Sequence, residues 1–217
     1  MLKVEKFVSV IKSAGEIDLA AINRLSRKEL TEEEVYTFTV RMCDDRVDRD
    51  LEQFSHRCLA ILAKLFAGKP FLFDHIWSAS KQTARIYATR LEKVDDATCL
   101  MADVYMLRLA GNEELIAMIE GGILKEVSVG CAVGKATCSI CGEPFHLCDH
   151  RRGKTYEGKT CHVIFDDAQD AYEASFVAVP SQREAGVQKS AEMFNMSIND
   201  VEAAKCRLAI EKLRFGG

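Results

Sequence analysis

Between residues 138 and 162 the chain places Cys138-Ser-Ile-Cys141-Gly142, then Cys148-Asp-His150, then Cys161-His162. A polar stretch this short cannot bury a core of its own, so something other than hydrophobic packing has to order it. A Cys-x-x-Cys-Gly turn lets two thiolates face one cation, the glycine relaxing the backbone behind the second sulfur. A second group of ligands within a few residues completes a tetrahedral site. Five candidates, Cys138, Cys141, Cys148, His150 and Cys161, compete for four places, and thiolate-rich tetrahedral sites favour Zn2+ over magnesium or calcium. A full ligand set leaves no open position for water, so the metal is expected to be structural. The bland alternatives are unliganded thiols or a redox Cys-x-x-Cys. The redox motif normally sits at a helix start beside a sheet, whereas this one runs into Gly-Glu-Pro and further ligand types.

Beyond this window the chain is ordinary. Its 217 residues, 48% hydrophobic with three prolines, suit one compact domain, or one domain with an insert and a tail. The net charge of −4 argues against a general nucleic-acid surface. No apolar run suggests a membrane span, and the opening segment does not read as a secretory signal. With no such signal, the nine cysteines are poorly explained as a disulfide framework. Cys43, Cys58, Cys99, Cys131 and Cys206 fall in strand and helix patterns and read as reduced thiols.

Hydrophobic spacing predicts a helix over 16–30 and a strand over 35–43, with Tyr36, Phe38, Val40 and Met42 on one face. Ser55 is placed to cap a helix over 56–67 that Gly68 stops. An apolar run, 70–77, contains Asp74 and His75. Strands are expected over 83–92, 99–109, 127–133 and 171–180, with short helices over 113–121, capped by Asn112, and over 198–214. Strands and helices do not alternate regularly, which indicates α+β, and a small closed or half-closed β-barrel with flanking helices is the expected form.

Taken singly, the residues that carry chemistry are inconspicuous. His56 and His75 are the only histidines outside the metal window. A solvated helix position accounts for His56, and His75 reads more simply as a core histidine than as a base. Val127, Val129, Cys131 and Val133 share one strand face, so Ser128 points the other way. No Gly-x-Ser-x-Gly elbow or Ser-x-x-Lys surrounds it. Glu173 alone would be a solvent-facing strand residue.

Three blocks taken together change this reading: Phe73-Asp74-His75, Lys125-Glu126-Val127-Ser128-Val129-Gly130, and the segment 172–186 that opens Tyr172-Glu173-Ala174-Ser175-Phe176. Their wording and order resemble the prohead maturation proteases of tailed bacteriophages, serine proteases related in fold to the herpesvirus assemblins. The resemblance covers about residues 30–186, and its specificity lies in the set of blocks and their order. It implies an assemblin-like barrel with an inserted zinc-knuckle hairpin. The domain plan is then an N-terminal helical segment (1–34), a protease domain (35–186, insert 136–165) and a C-terminal helix or linker (187–217).

The resemblance implies Ser128 as nucleophile, His75 as general base and Glu173 as the orienting acid, with Asp170 and Asp166 as alternatives to Glu173. The N–H groups of Val129 and Gly130 would serve the oxyanion, and Arg183 is a further candidate for that role. It implies a serine endopeptidase that cleaves capsid and scaffold proteins during head maturation, self-cleavage included. The enzyme would be a homo-oligomer working in the bacterial cytoplasm inside the assembling prohead, neither secreted nor bound to nucleic acid or membrane. Two other classes compete with this reading: a non-catalytic assembly or scaffold protein keeping the protease fold, and a zinc-knuckle nucleic-acid-binding module using Arg151-Arg152-Gly-Lys154.

Overall fold

The computed structural model describes residues 17–188. A short helix α1 (Leu19–Asn23) and a 3₁₀ turn (Glu32–Glu34) lead into strand β1 (Val35–Asp44). Then come β2 (Glu52–Phe54), α2 (His56–Phe66), β3 (Pro70–Phe73), β4 (Ala84–Val94), β5 (Ala97–Leu107) and α3 (Glu113–Glu120). The long strand β6 (Val127–Cys138), the two-residue strands β7 (Thr155–Tyr156) and β8 (Lys159–Thr160), the long β9 (Val163–Phe176) and β10 (Gly186–Val187) complete the described chain.

The protein is α+β and mostly sheet. The strand order is β10-β1-β5-β4-β3-β9-β2, and β6 also pairs with β9. No closed barrel forms among the described residues. The start of β6 meets β10 only at a Glu126–Gly186 bridge, supported by Val127 N–H to the Ala185 carbonyl and Val187 N–H to the Lys125 carbonyl. β10 has only two residues, too short for a continuous ladder to close the sheet.

The face predicted for β1 is the core face, but the other face is covered too, with Thr39 and Arg41 also buried. Phe38, Val40 and Met42 are buried in the main core, with Tyr36 packed against it. In α2, Cys58, Leu59, Leu62 and Phe66 are fully buried against this sheet face. Ser55 caps the helix by accepting the Cys58 N–H at 3.0 Å, and Gly68 takes φ 83° just beyond its end. Burying such apolar side chains contributes about 1.5–3 kcal/mol each, so the α2 stripe is a large part of what holds the sheet.

Several boundaries differ from the sequence reading. The helix expected over 16–30 is only α1. Asn23 ends it by clasping Leu30, its Oδ1 accepting the Leu30 N–H at 2.8 Å and its Nδ2 donating to the Leu30 carbonyl at 3.1 Å. Asn112 does not cap α3 through its side chain, which donates to the Leu107 carbonyl instead. β6 and β9 run further than their apolar cores suggest, pairing through Lys135–Asp166 to Cys138–Val163, so the excursion between them spans only 139–162. Position 206 and the helix expected over 198–214 lie outside the described residues.

Candidate active site and metal centre

β9 brings the three sequence blocks together, because β3 lies along one of its edges and β6 along the other. Leu72 of β3 and Ser128 of β6 are both register partners of Ser175 in β9. Directly opposed residues share a sheet face, and so do residues two apart along a strand. Ser128, Ser175 and Glu173 therefore face the same way.

His75 reaches this face from a tight turn. Asp74 and His75 follow β3 with φ of 50° and 54°, and the Ile76 N–H bonds the Phe73 carbonyl at 2.9 Å. Positive φ at both central positions with an i to i+3 bond is the signature of a type I′ turn. Aspartate and histidine are among the non-glycine residues that tolerate this region best, which gives a physical reason for an Asp-His pair here. The turn is tied to β9 by Asp74 N–H to the Phe176 carbonyl at 2.9 Å and by His75 N–H to Ser175 Oγ at 3.2 Å.

Glu173, which taken alone reads as a solvent-facing strand residue, is 2% exposed. Its Oε1 lies 2.7 Å from His75 Nδ1, and its Oε2 accepts the Ser175 hydroxyl at 2.5 Å. An ionised carboxylate only accepts, so Nδ1 carries the proton of that bond and Nε2 is left free for a partner. A carboxylate can occupy this buried place because residue 130, its register partner, has no side chain: a Cβ there would collide with Glu173 Oε1. The two alternative acids are engaged elsewhere. Asp166 accepts from Ser55 Oγ at 2.9 Å, and Asp170 pairs with Lys69 at 3.2 Å.

The Ser128 hydroxyl has no hydrogen-bond partner among the described residues, His75 included. Val129, one position along, faces the opposite edge. Val177 N–H bonds the Glu126 carbonyl, so the 126/177 and 128/175 pairs are the hydrogen-bonded ones of the β6–β9 ladder, and the Val129 N–H points away from β9. Arg183 is exposed, in the turn before Ala185 that bonds Val127.

At the far end of the same ladder the Cys/His window converges. The ligand atoms of Cys138, Cys141, Cys148 and His150 lie within 4.8 Å of one another. Cys161 Sγ is 3.7 Å from Cys138 Sγ, close to the edge of about 3.8 Å that a tetrahedron of zinc–sulfur bonds near 2.3 Å requires. The strand ends Cys138 and Val163 are register partners, and Gly142 takes φ 77° in the turn behind Cys141. His150 Nδ1 is buried without a hydrogen-bond partner, an orphaned acceptor that a cation would satisfy. Donor set and geometry thus form a cluster that can hold a metal ion, compatible with zinc.

The thiols of the cluster and of the core differ in character. Burial opposes ionisation at Cys138, but backbone N–H groups of Cys141 and Ile140 and the neighbouring thiols outweigh it and bring the thiol down to about 6. Burial, followed by the hydrogen bond with the Cys138 thiol and then its charge, pushes Cys161 up to about 11. In the core, burial raises Cys58 to about 12 and Cys99 and Cys131 to about 11, as expected of inert reduced thiols. The eight described cysteines form no disulfide.

Two features of the site were not found from the sequence. Ser175 bridges His75 and Glu173, and its only sequence signal was its place two residues after Glu173. Trp77 and Tyr172, with ring centroids 5.1 Å apart, stand beside the pair. Comparisons with protein-family models, curated proteins and solved structures gave no match.

Proposed function

We propose that the protein is a serine endopeptidase of the prohead-maturation type, with Ser128 as nucleophile, His75 as general base and Glu173 as the orienting acid. The observation that carries this reading is the 2.7 Å bond between His75 Nδ1 and the buried Glu173 carboxylate, on the sheet face that Ser128 also occupies. A serine hydroxyl attacks an amide only when a base takes its proton, and the base works only in the right tautomer. Glu173 fixes that tautomer and stabilises the imidazolium. Ser128 Oγ adds to the peptide carbonyl as its proton passes to His75 Nε2, which then protonates the leaving amine. The outward Val129 N–H is suited to the developing oxyanion, with Gly130 leaving room for close approach. The lack of a Ser128–His75 hydrogen bond without substrate is compatible with this chemistry, since such bonds often form fully only with substrate bound.

The fold is read as assemblin-like, with capsid and scaffold proteins as substrates in an assembling phage head. The metal is read as a structural zinc held by Cys138, Cys141, Cys148 and either His150 or Cys161, closing the β6–β9 excursion. It serves the fold, standing at the opposite end of the ladder from Ser128. The test is co-expression of the protein, or of Ser128→Ala, with a capsid precursor. Trimming by the wild type alone supports the assignment; equal processing by both variants removes it.

A further inference from the structure

A cavity of about 360 Å³ opens beside the His75–Glu173 pair, lined by Pro70, Leu72, Trp77, Ala79, Tyr172 and Glu173 among others. Its floor is the stretch of β3 that leads to His75, and Glu173 itself forms part of the wall, so whatever enters lies against the carboxylate that holds His75. Tyr172 is aimed here by a β-bulge: Gly130 pairs with Glu173 and Cys131 with Ala171, leaving Tyr172 unpaired in the ladder. Bulges re-aim side chains in this way and are frequent beside active sites. The Tyr172 ring meets Trp77, which is 69% exposed and flanked by the half-exposed Ile76. An exposed tryptophan over an apolar floor is costly for a free surface and marks a binding site.

The charges around the cavity restrict its occupant. Lys69, the one basic group on the lining, is neutralised by Asp170 at 3.2 Å. The Glu173 oxygens are engaged by His75 and Ser175. Of the polar lining groups, Ser78 bonds Ser80, and the Gln82 carbonyl oxygen accepts from Arg85. No free charge remains to receive an acidic or basic side chain, whereas the aromatic pair and Leu72 offer dispersion contact and apolar burial.

We infer that this cavity is a substrate side-chain subsite, taking one large uncharged apolar residue of an extended peptide drawn across His75 and Ser128. The inference rests on the endopeptidase reading and adds its specificity. Occupancy presses an apolar side chain against Trp77 and buries the indole, so selectivity among peptides arises here.

Trp77 is the only tryptophan in the chain, so its emission reports on this cavity alone. The experiment titrates the full-length Ser128→Ala protein with end-blocked alanine-rich hexapeptides carrying a single Phe, Leu, Asp or Lys. The Phe and Leu peptides are expected to give a saturable blue shift and to bind at least tenfold more tightly than the Asp and Lys peptides. In the Ala79→Phe variant, whose substituted residue is exposed and fills the cavity without disturbing the core, the shift is expected to disappear. No shift, or equal shifts with all four peptides, overturns the inference. Hydrolysis by the wild type read in parallel separates the two claims. Cleavage without preference for the apolar peptides defeats the subsite alone, while selective binding with no cleavage by the wild type defeats the protease reading and leaves the subsite standing.

Discussion

Ser175 Oγ donates to Glu173 Oε2 at 2.5 Å while accepting the His75 backbone N–H at 3.2 Å. One fully buried hydroxyl therefore holds both the Glu173 carboxylate and the turn that presents His75. Ser175→Ala leaves a buried carboxylate oxygen without its donor and frees the turn from β9. A hydrogen bond to a charged group is worth about 1.5–3 kcal/mol, so kcat is expected to fall about 10- to 100-fold. KM should stay nearly constant, because Ser175 lies beneath the site. Ser175→Thr, which keeps the hydroxyl, should recover part of the rate. Steady-state kinetics on a cleavable peptide checks this.

Gly130 is required by its neighbour across the ladder. A methyl group at 130 meets the Glu173 carboxylate, which is buried and cannot swing aside. Gly130→Ala should cost about 1–3 kcal/mol by overpacking and remove activity by breaking the His75–Glu173 bond. Thermal unfolding and peptide hydrolysis measure the two effects separately.

The turn that carries His75 makes a backbone prediction. Asp74 is exposed with φ 50°, so substitution there loses little packing. Asp74→Val places a β-branched residue in the left-handed region and should destabilise by about 1–2 kcal/mol. Asp74→Gly and Asp74→Asn should fold with stability near that of the wild type. Chemical denaturation of the three variants tests the order.

For the metal centre, elemental analysis should find one zinc per chain. Cys138→Ser, Cys141→Ser and Cys148→Ser should each lose it, while Cys131→Ala, a core thiol away from the cluster, should retain it. Metal removal should expose the window between β6 and β9 to proteolysis before the rest of the domain, because a bound metal would supply the order that a segment without a core lacks. A metal-free protein with an intact, protease-resistant window contradicts this.

What the sequence made legible follows its physical periodicities. The inward face of β1 and the Ser55-capped α2 were readable because alternation at two and spacing at 3.6 are local properties. The extension of β6 and β9 past Lys135 and Asp166 was not, because backbone pairing there carries polar side chains that look like loop. The helix that stops at Asn23 was overread, since a side chain clasping Leu30 seven residues on leaves no periodic trace. Glu173 shows the limit most clearly. A strand position of this kind reads as solvent-facing, but a sheet face counts as solvent only if nothing covers it, and the His75 turn covers this one. Ser175 was overlooked because its role depends on β3 lying beside β9, a contact between distant segments. The Cys/His cluster was visible throughout, since ligand types at short spacing need little tertiary information.

The most direct test of the central claim is covalent labelling of the native protein with a fluorophosphonate, which reacts with an activated serine. Peptide mass mapping should find a single adduct on Ser128, lost in His75→Ala and strongly slowed in Glu173→Gln. No adduct on the wild type, or an adduct on another residue that persists without His75, would contradict the assignment of Ser128, His75 and Glu173 as a catalytic unit.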